Sequence, residues 1–259
     1  MSAHDAYARE LHDAFGYFAT WLPTAPVALG EVGRLRGKQF ERLGKLDDYG
    51  VKFAVAKANV HAELQHASEG KVELKLESGA AAPVGPGTDG ILTVGFKAKH
   101  AVFFRAEQCV GTSIDDLSQV GNSIVQLAEA GKWDREYLVV TEILSAERAI
   151  ILMASESGAS FAASVKGSMP IDAVDLVNAA VGAHIQRSSG LSLRIQANGQ
   201  LTPLFKIGRL RRRFLGSEFR MRGENREERQ PSGPELFAEV GFSDLGALTF
   251  SPGDAEPTS

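Results

Sequence analysis

A single cysteine, Cys109, stands in 259 residues, which excludes an intramolecular disulfide and leaves a thiolate zinc site without ligands. Long apolar runs are also missing: none approaches the roughly 20 residues that a membrane-spanning helix needs. With 44% hydrophobic and 23% charged residues the composition is that of a protein soluble at rest. The opening residues Met1-Ser2-Ala3-His4-Asp5 carry neither the basic flank nor the apolar run of a secretory signal. A reducing cytoplasm is the expected setting. There is no excess of positive charge, and a formal net charge of -4 argues against nucleic acid as the main partner. No phosphate-cradling glycine motif occurs, because the glycines stand at turns between strands.

The hydrophobic patterning predicts an α+β fold, a twisted antiparallel sheet with flanking helices. Tyr7, Leu11, Ala14, Phe15 and Phe18 recur at helical spacing after His4, and Gly16 is placed to end that helix early. Tyr17–Leu22 then reads as a strand stopped by Pro23. Val32–Leu35 and Gln39–Leu43 read as a small hairpin, followed by a turn at Leu46–Gly50 and a strand over Val51–Val55. Alternation is strictest at Val72, Leu74 and Leu76 against Lys71, Glu73, Lys75 and Glu77. With Val60, Ala62 and Leu64 before Glu69-Gly70, this predicts an amphipathic hairpin.

Ser78–Gly90 is a Gly-, Ala- and Pro-rich loop by composition, and Ile91–Phe96 and Ala101–Arg105 are strand-like. Ser113 is placed to cap a helix whose stripe runs Ile114, Leu117, Val120, Ile124 and Leu127 up to Gly131. The most strand-like pair follows: Tyr137–Leu144, a charged turn Ser145–Arg148, then Ala149–Ala154, which is apolar at every position and so suited to burial on both faces. Further on come a strand at Ser160–Val165, a helix begun by Pro170, and a hairpin from Leu191 to Ile207 around Asn198-Gly199.

Candidate chemistry is sparse. His61 and His66 fall on opposite faces of a strand, so with Glu63 they read as solvated side chains rather than a metal site. Cys109 with His100 is the one nucleophile and base pair to consider, and a lone cysteine in an apolar stretch reads as buried. The tail is more informative. Lys206, Arg209, Arg211, Arg212, Arg213, Arg226 and Arg229 lie in a basic tract that Pro231–Pro234 separates from the acidic and apolar run Glu235–Phe242. Lys206 and Arg209–Arg213 suit anionic head groups, and Arg226 and Arg229 suit a protease that cuts after arginine. From Ser251 the composition is that of a disordered end.

The order of elements, with Trp133–Leu144 following a capped helix, resembles the pore-forming amino-terminal domain of gasdermins. Tyr137–Leu144, the turn Ser145-Ala146-Glu147-Arg148 and the strand after it are the closest local match. The resemblance implies a latent pore former with no catalytic residues, no metal and no cofactor. It places one membrane hairpin near Val60–Leu76 and another at the central strand pair. Bacterial gasdermins are held closed by a short carboxy-terminal peptide that a protease removes. By that likeness residues 1–230 are the pore-forming domain, and 231–259 hold an autoinhibitory peptide whose Leu236, Phe237, Val240 and Phe242 cap an apolar groove. An activating protease, anionic lipid and self-oligomer are the implied partners. The cytoplasm at rest and the inner membrane after activation are the implied locations, and cell death or antiphage defence the implied role. Bacterial members often carry an acylated cysteine near the chain start, and Cys109 is far from that position. The alternative reading is a soluble binding module, an effector or immunity component whose apolar tail docks a partner protein.

Overall fold

Ala149–Ala154 has no polar residue to turn toward water, so the strand that holds it must be covered on both faces. The computed structural model describes residues 2–21, 27–36, 39–78, 89–166, 185–212, 235–245 and 249–250. Its elements in chain order begin with α1 (Ala3–Phe15), β1 (Phe18–Ala19), β2 (Glu31–Arg36), β3 (Gln39–Lys45), β4 (Val55–Ala67) and β5 (Val72–Ser78). β6 (Asp89–Phe96), β7 (Val102–Ile114), α2 (Leu117–Glu129), β8 (Leu138–Ala154), β9 (Ser160–Lys166) and β10 (Ile185–Ser189) follow. The last are β11 (Leu191–Arg212), β12 (Glu235–Glu239), a single helical turn at Phe242–Leu245, and β13 (Thr249–Phe250).

Two sheets form an α+β fold that is antiparallel in every described strand pair except β13 on β3. The nine-stranded sheet carries β4, β7, β8 and β11 side by side, and the four-stranded sheet runs β10-β9-β6-β5. Alternation along β8 decides the layers. Ile150, Leu152 and Ala154 join Phe103, Leu92, Val94, Phe96 and Phe161 beneath the smaller sheet. Ala149, Ile151 and Met153 join Val102, Phe104, Tyr7 and Leu11 beneath α1. That helix is set locally: the Ser2 hydroxyl accepts from the Asp5 N–H at 3.1 Å, and Gly16, at φ 74°, donates its N–H to the His12 carbonyl at 2.7 Å.

Several expectations are corrected. The strands read as a hairpin about Glu69-Gly70 do not pair: β4 lies on β7 and β5 on β6, in different sheets. Their alternating patterns fit any antiparallel neighbour of matching face, and Ser68 turns the chain away by donating its N–H to the Val102 carbonyl at 2.9 Å and accepting the Val102 N–H on its hydroxyl at 2.8 Å. Val51–Ala54 is not strand, and β4 starts at Val55. Ser113 is consumed in ladders to Ala56 and Glu142, so Asp116 caps α2 instead, accepting the Gln119 N–H at 2.8 Å. Ser145–Arg148 is not a turn but the middle of a 17-residue strand, and Asn198-Gly199 lies inside a 22-residue one. The helix expected from Pro170 and the loop residues 79–88 lie outside the described residues.

Those missed turns mark a crease. In β7 and β8, Glu107 pairs with Arg148 and Val110 with Ser145, while Gln108–Cys109 and Ala146–Glu147 between them leave the ladder. Gln108 is at φ 53°. β11 slips by one residue between Asn198 and Leu201, and β4 between Ala58 and Val60. Ala106 and Cys109 share the α1-side core, as do Ala146 and Ala149, although three residues separate each pair. An unbroken strand would place such pairs on opposite faces. Both strands therefore change phase along one line.

Leu152 is fully buried beneath the smaller sheet, whereas Val60 is 75% exposed. Leu152→Ala should lower unfolding free energy by about 2–5 kcal/mol, and Val60→Ala by less than about 1 kcal/mol. Urea unfolding followed by tryptophan fluorescence checks both, and equal effects would refute the assigned core.

Candidate functional site

The last turns of β11 need cover on two faces and on one edge. Ile207 packs with Phe18, Val140 and Phe205 on one face, while Leu210 joins the α2 residues Val120, Ile124 and Ala128 on the other. β1 takes the edge at Leu204–Phe205, held by the buried Thr20 hydroxyl donating to the Thr202 carbonyl at 3.0 Å. From Gly208 to Arg212 the same edge is taken by β12, in the register Gly208↔Glu239 to Arg212↔Glu235.

Phe237 is seated between two glycines. A Cβ on Gly208 would come within 2.5 Å of its ring, and one on Gly121 of α2 within 2.8 Å of its Cβ. Only a residue without a side chain lets the strand and the helix approach the ring so closely. Past β12 the Val240 N–H donates to the Ile207 carbonyl at 2.9 Å, and Val240 is 3% exposed. Phe242 and Leu245 pack against the Phe18–Phe205 cluster, with the Phe242 ring 5.0 Å from His12 and 6.1 Å from Phe18. Thr249–Phe250 then pairs with Gln39–Phe40 on β3, at the other side of the sheet. The tail is a strap that runs from the β11 edge across one face to the β3 edge.

Charge follows the same path. Arg211 is ion-paired with Asp244, and that contact holds the Asp244 carboxyl below the usual carboxylate range, helped by the Gly241 N–H and by Arg209. Because the folded value is depressed, this pair stabilises docking above the ordinary carboxylate pKa and is lost as pH falls through the lowered one. Both side chains are about one-third exposed, so solvent screening keeps the contribution small. Lys206 Nζ lies 3.1 Å from Glu142 and 3.8 Å from Glu239, with its charge 4.7 Å from the Tyr17 ring centre. The Tyr17 hydroxyl donates to Glu142, and burial together with that carboxylate pushes the phenol well above its usual range.

Of the residues expected to meet lipid, Lys206, Arg209, Arg211 and Arg212 are brought together at the end of β11, and Lys206 and Arg211 are engaged by carboxylates there. Arg213 and the expected cleavage residues Arg226 and Arg229 lie outside the described residues. Leu236, Phe237, Val240 and Phe242 all lie in the strap. Sequence reading missed Gly121 and Gly208, although a glycine inside a helical stripe and another inside a strand are signals of close approach. It also missed the acidic side chains Glu239 and Asp244 as partners of the basic strand.

The sites judged weak stay apart. His66 Nε2 lies 3.0 Å from Glu10 Oε2, and the described residues hold no group of three His, Cys, Asp or Glu side chains suited to a metal. Cys109 is buried, with desolvation pushing its thiol up to about 11. His100 sits before the start of β7, roughly 20 Å of strand away. No helix among the described residues is long and apolar enough to cross a membrane, which leaves crossing by strands open.

Phe237→Ala should weaken tail docking by about 1–3 kcal/mol, and Gly208→Ala should act in the same direction through the clash at 2.5 Å. Loss of protection of Glu235–Glu239 in limited proteolysis is the readout. A tail equally protected in both variants would mean that the glycine seat does not anchor it.

No family model and no curated protein matches this chain. Among solved structures it is similar to that of a bacterial gasdermin from Bradyrhizobium tropiciagri, at 14% identity and a TM-score of 0.37, over 95% of this chain and 97% of that one.

Proposed function

We propose that this protein is a latent pore former of the gasdermin kind, held closed by its own carboxy-terminal strap and opened when the chain is cut between Arg222 and Pro234. One observation carries the reading: the strap covers the β11 edge and apolar residues on both faces of the sheet, while Glu239 and Asp244 sit on Lys206 and Arg211. In this reading residues 1–230 are the active body and 231–259 the restraint.

A cut between β11 and β12 removes none of the described docking contacts. What it removes is the tether. A segment joined by a short linker rebinds at an effective concentration in the millimolar range, and a free peptide at micromolar protein does not. Release would bare the β11 edge and the Phe18–Phe205 face, would free Arg211 from Asp244 and would leave Lys206 with Glu142 alone, with Arg209 on the same strand and Arg212 and Arg213 next in sequence. Each free cation is worth about 1 kcal/mol at an anionic surface. Exposed strand edges then favour pairing between copies. β5 supplies the alternation a membrane strand needs, with Val72 and Leu74 packed inward and Lys71, Glu73 and Lys75 toward solvent. Resting in the cytoplasm, acting at the inner membrane and serving cell death in antiphage defence complete the proposal, with no catalytic step.

The alternative, a binding module that offers its tail to a partner, has less support because Val240 and Phe242 already lie against the chain's own sheet. Dye-filled vesicles of anionic bacterial lipid separate the two. With a specific cleavage site placed after Arg229, intact protein should leave vesicles tight, and cut protein should leak dye and sediment as large assemblies. Leakage should fall when Arg209 and Arg211 are both alanine. Cut protein that stays monomeric and leaves vesicles tight would overturn the proposal.

A further inference from the structure

The crease has one polar and one apolar side. On the polar side Arg105 Nε lies 2.9 Å from Glu63 Oε1 and 3.3 Å from Glu107 Oε1, and Arg148 reaches Glu107 at 3.0 Å, so ion pairs join β4, β7 and β8. Arg105 and Glu107 are buried, 5% and 7% exposed. On the apolar side a single cluster crosses the line: Phe104, Ala106, Ala149 and Ile151 lie above it, and Cys109, Leu144, Ala146 and Leu201 at or below it. α1 contributes Tyr7 and Leu11 to that cluster, both fully buried.

The same helix touches the strap. His12, in its last turn, lies 5.0 Å from the Phe242 ring, and the Arg9 guanidinium carbon lies 6.0 Å from that ring's centre. At its polar edge Glu10 accepts contacts from His66 of β4 at 3.0 Å and from Lys71 at 3.7 Å. Phe242 thus packs on the carboxy-terminal end of α1, and Tyr7 and Leu11 of α1 share one buried cluster with residues on both sides of the line where the strands change phase.

We infer that α1 is a splint across the crease and that the strap holds the splint down through Phe242. Loss of the strap then loosens α1 and the crease before the rest of the fold. The local sequence agrees with this order. Ser145–Arg148 and Asn198-Gly199 carry turn chemistry, yet the closed fold draws both into long strands. Such a disagreement between local preference and global fold marks the place where a structure rearranges most readily. The helix is a positioning element with no chemistry of its own. The inference rests on the strap's release and needs no membrane, so it can fail or hold independently of pore formation.

Hydrogen exchange read by mass spectrometry tests it in solution. The intact protein is compared with protein cut after Arg229 and freed of its tail, and with uncut Phe242→Ala. In both, exchange should quicken about tenfold or more over Ala3–Phe15 and over peptides spanning Glu107–Gly111, Ser145–Arg148 and Asn198–Leu201. Strands β6 and β9 should be unchanged. A third protein, uncut Leu11→Ala, should quicken the same crease peptides while Glu235–Glu239 stays protected, which places α1 between strap and crease. Crease peptides unchanged in any of the three, or a uniform rise across the whole chain, would overturn the inference. Localised loosening without vesicle leakage would leave the splint standing and remove the pore reading.

Discussion

Everything in this fold answers to one constraint: the closing run of β8, Ala149–Ala154, is apolar on both sides, so it must be dried on both sides. Hydrophobic burial gives roughly 25 cal/mol for each Å² of apolar surface removed from water. The closing half of β8 and its partner β7 gain it twice, from the smaller sheet over Ile150, Leu152 and Phe103 and from α1 over Ile151, Met153 and Phe104. The opening half has no such ready cover. There α2 closes the face around Val139 and Leu210, and the opposite face, with Leu138 and Val140, is completed by Val240 and Phe242 of the tail. The carboxy-terminal segment is therefore a member of the core, joined to the body by a linker.

That arrangement separates what holds the tail from what aims it. Phe237 in its glycine seat, Val240 and Phe242 supply apolar contact that salt does not screen. The pairs Arg211–Asp244 and Lys206–Glu239 are part-exposed and individually weak, and they set register and orientation on the basic strand. Backbone pairing at two separated edges, β11 and β3, adds a geometric demand that few sequences would meet by chance. In the proposed function, linkage supplies the local concentration that keeps such a segment docked, and a cut in the tether lowers its occupancy.

How much of this could be read from the chain depends on the range of the deciding interaction. Some local signals held: Gly16 ends α1, Gly131 follows α2, and the apolar run at Ala149–Ala154 is buried on both faces, whereas the cap expected at Ser113 fell to Asp116. Pairing was not, because Val60–Leu64 and Val72–Leu76 present the same alternation to any neighbour, and only the three-dimensional turn at Ser68 sends them to different sheets. The turn signals at Ser145–Arg148 and Asn198-Gly199 were real features of the sequence, absorbed as a crease in β8, which is paired on both sides, and in β11, which is paired to it there. In the tail, the apolar residues stood out by composition. Their seats did not, since Gly121, Gly208 and His12 are distant in sequence and become partners only when α2, β11 and α1 converge.

The central claim is that occupancy of the β11 edge by the tail, and not continuity of the chain, keeps the protein closed. Ile207 and Val240 are a hydrogen-bonded pair, so strict alternation along the ladder makes Arg212 and Glu235 a non-hydrogen-bonded pair. Their Cα atoms are then within range for a disulfide. Cysteines at both positions would lock the tail in place, with the native Cys109 buried out of reach. The measurement is dye release from anionic vesicles by this locked protein after cleavage at Arg229, before and after adding reductant. The account predicts tight vesicles while the disulfide holds and leakage once it is reduced. Leakage from the cut but still locked protein would contradict it.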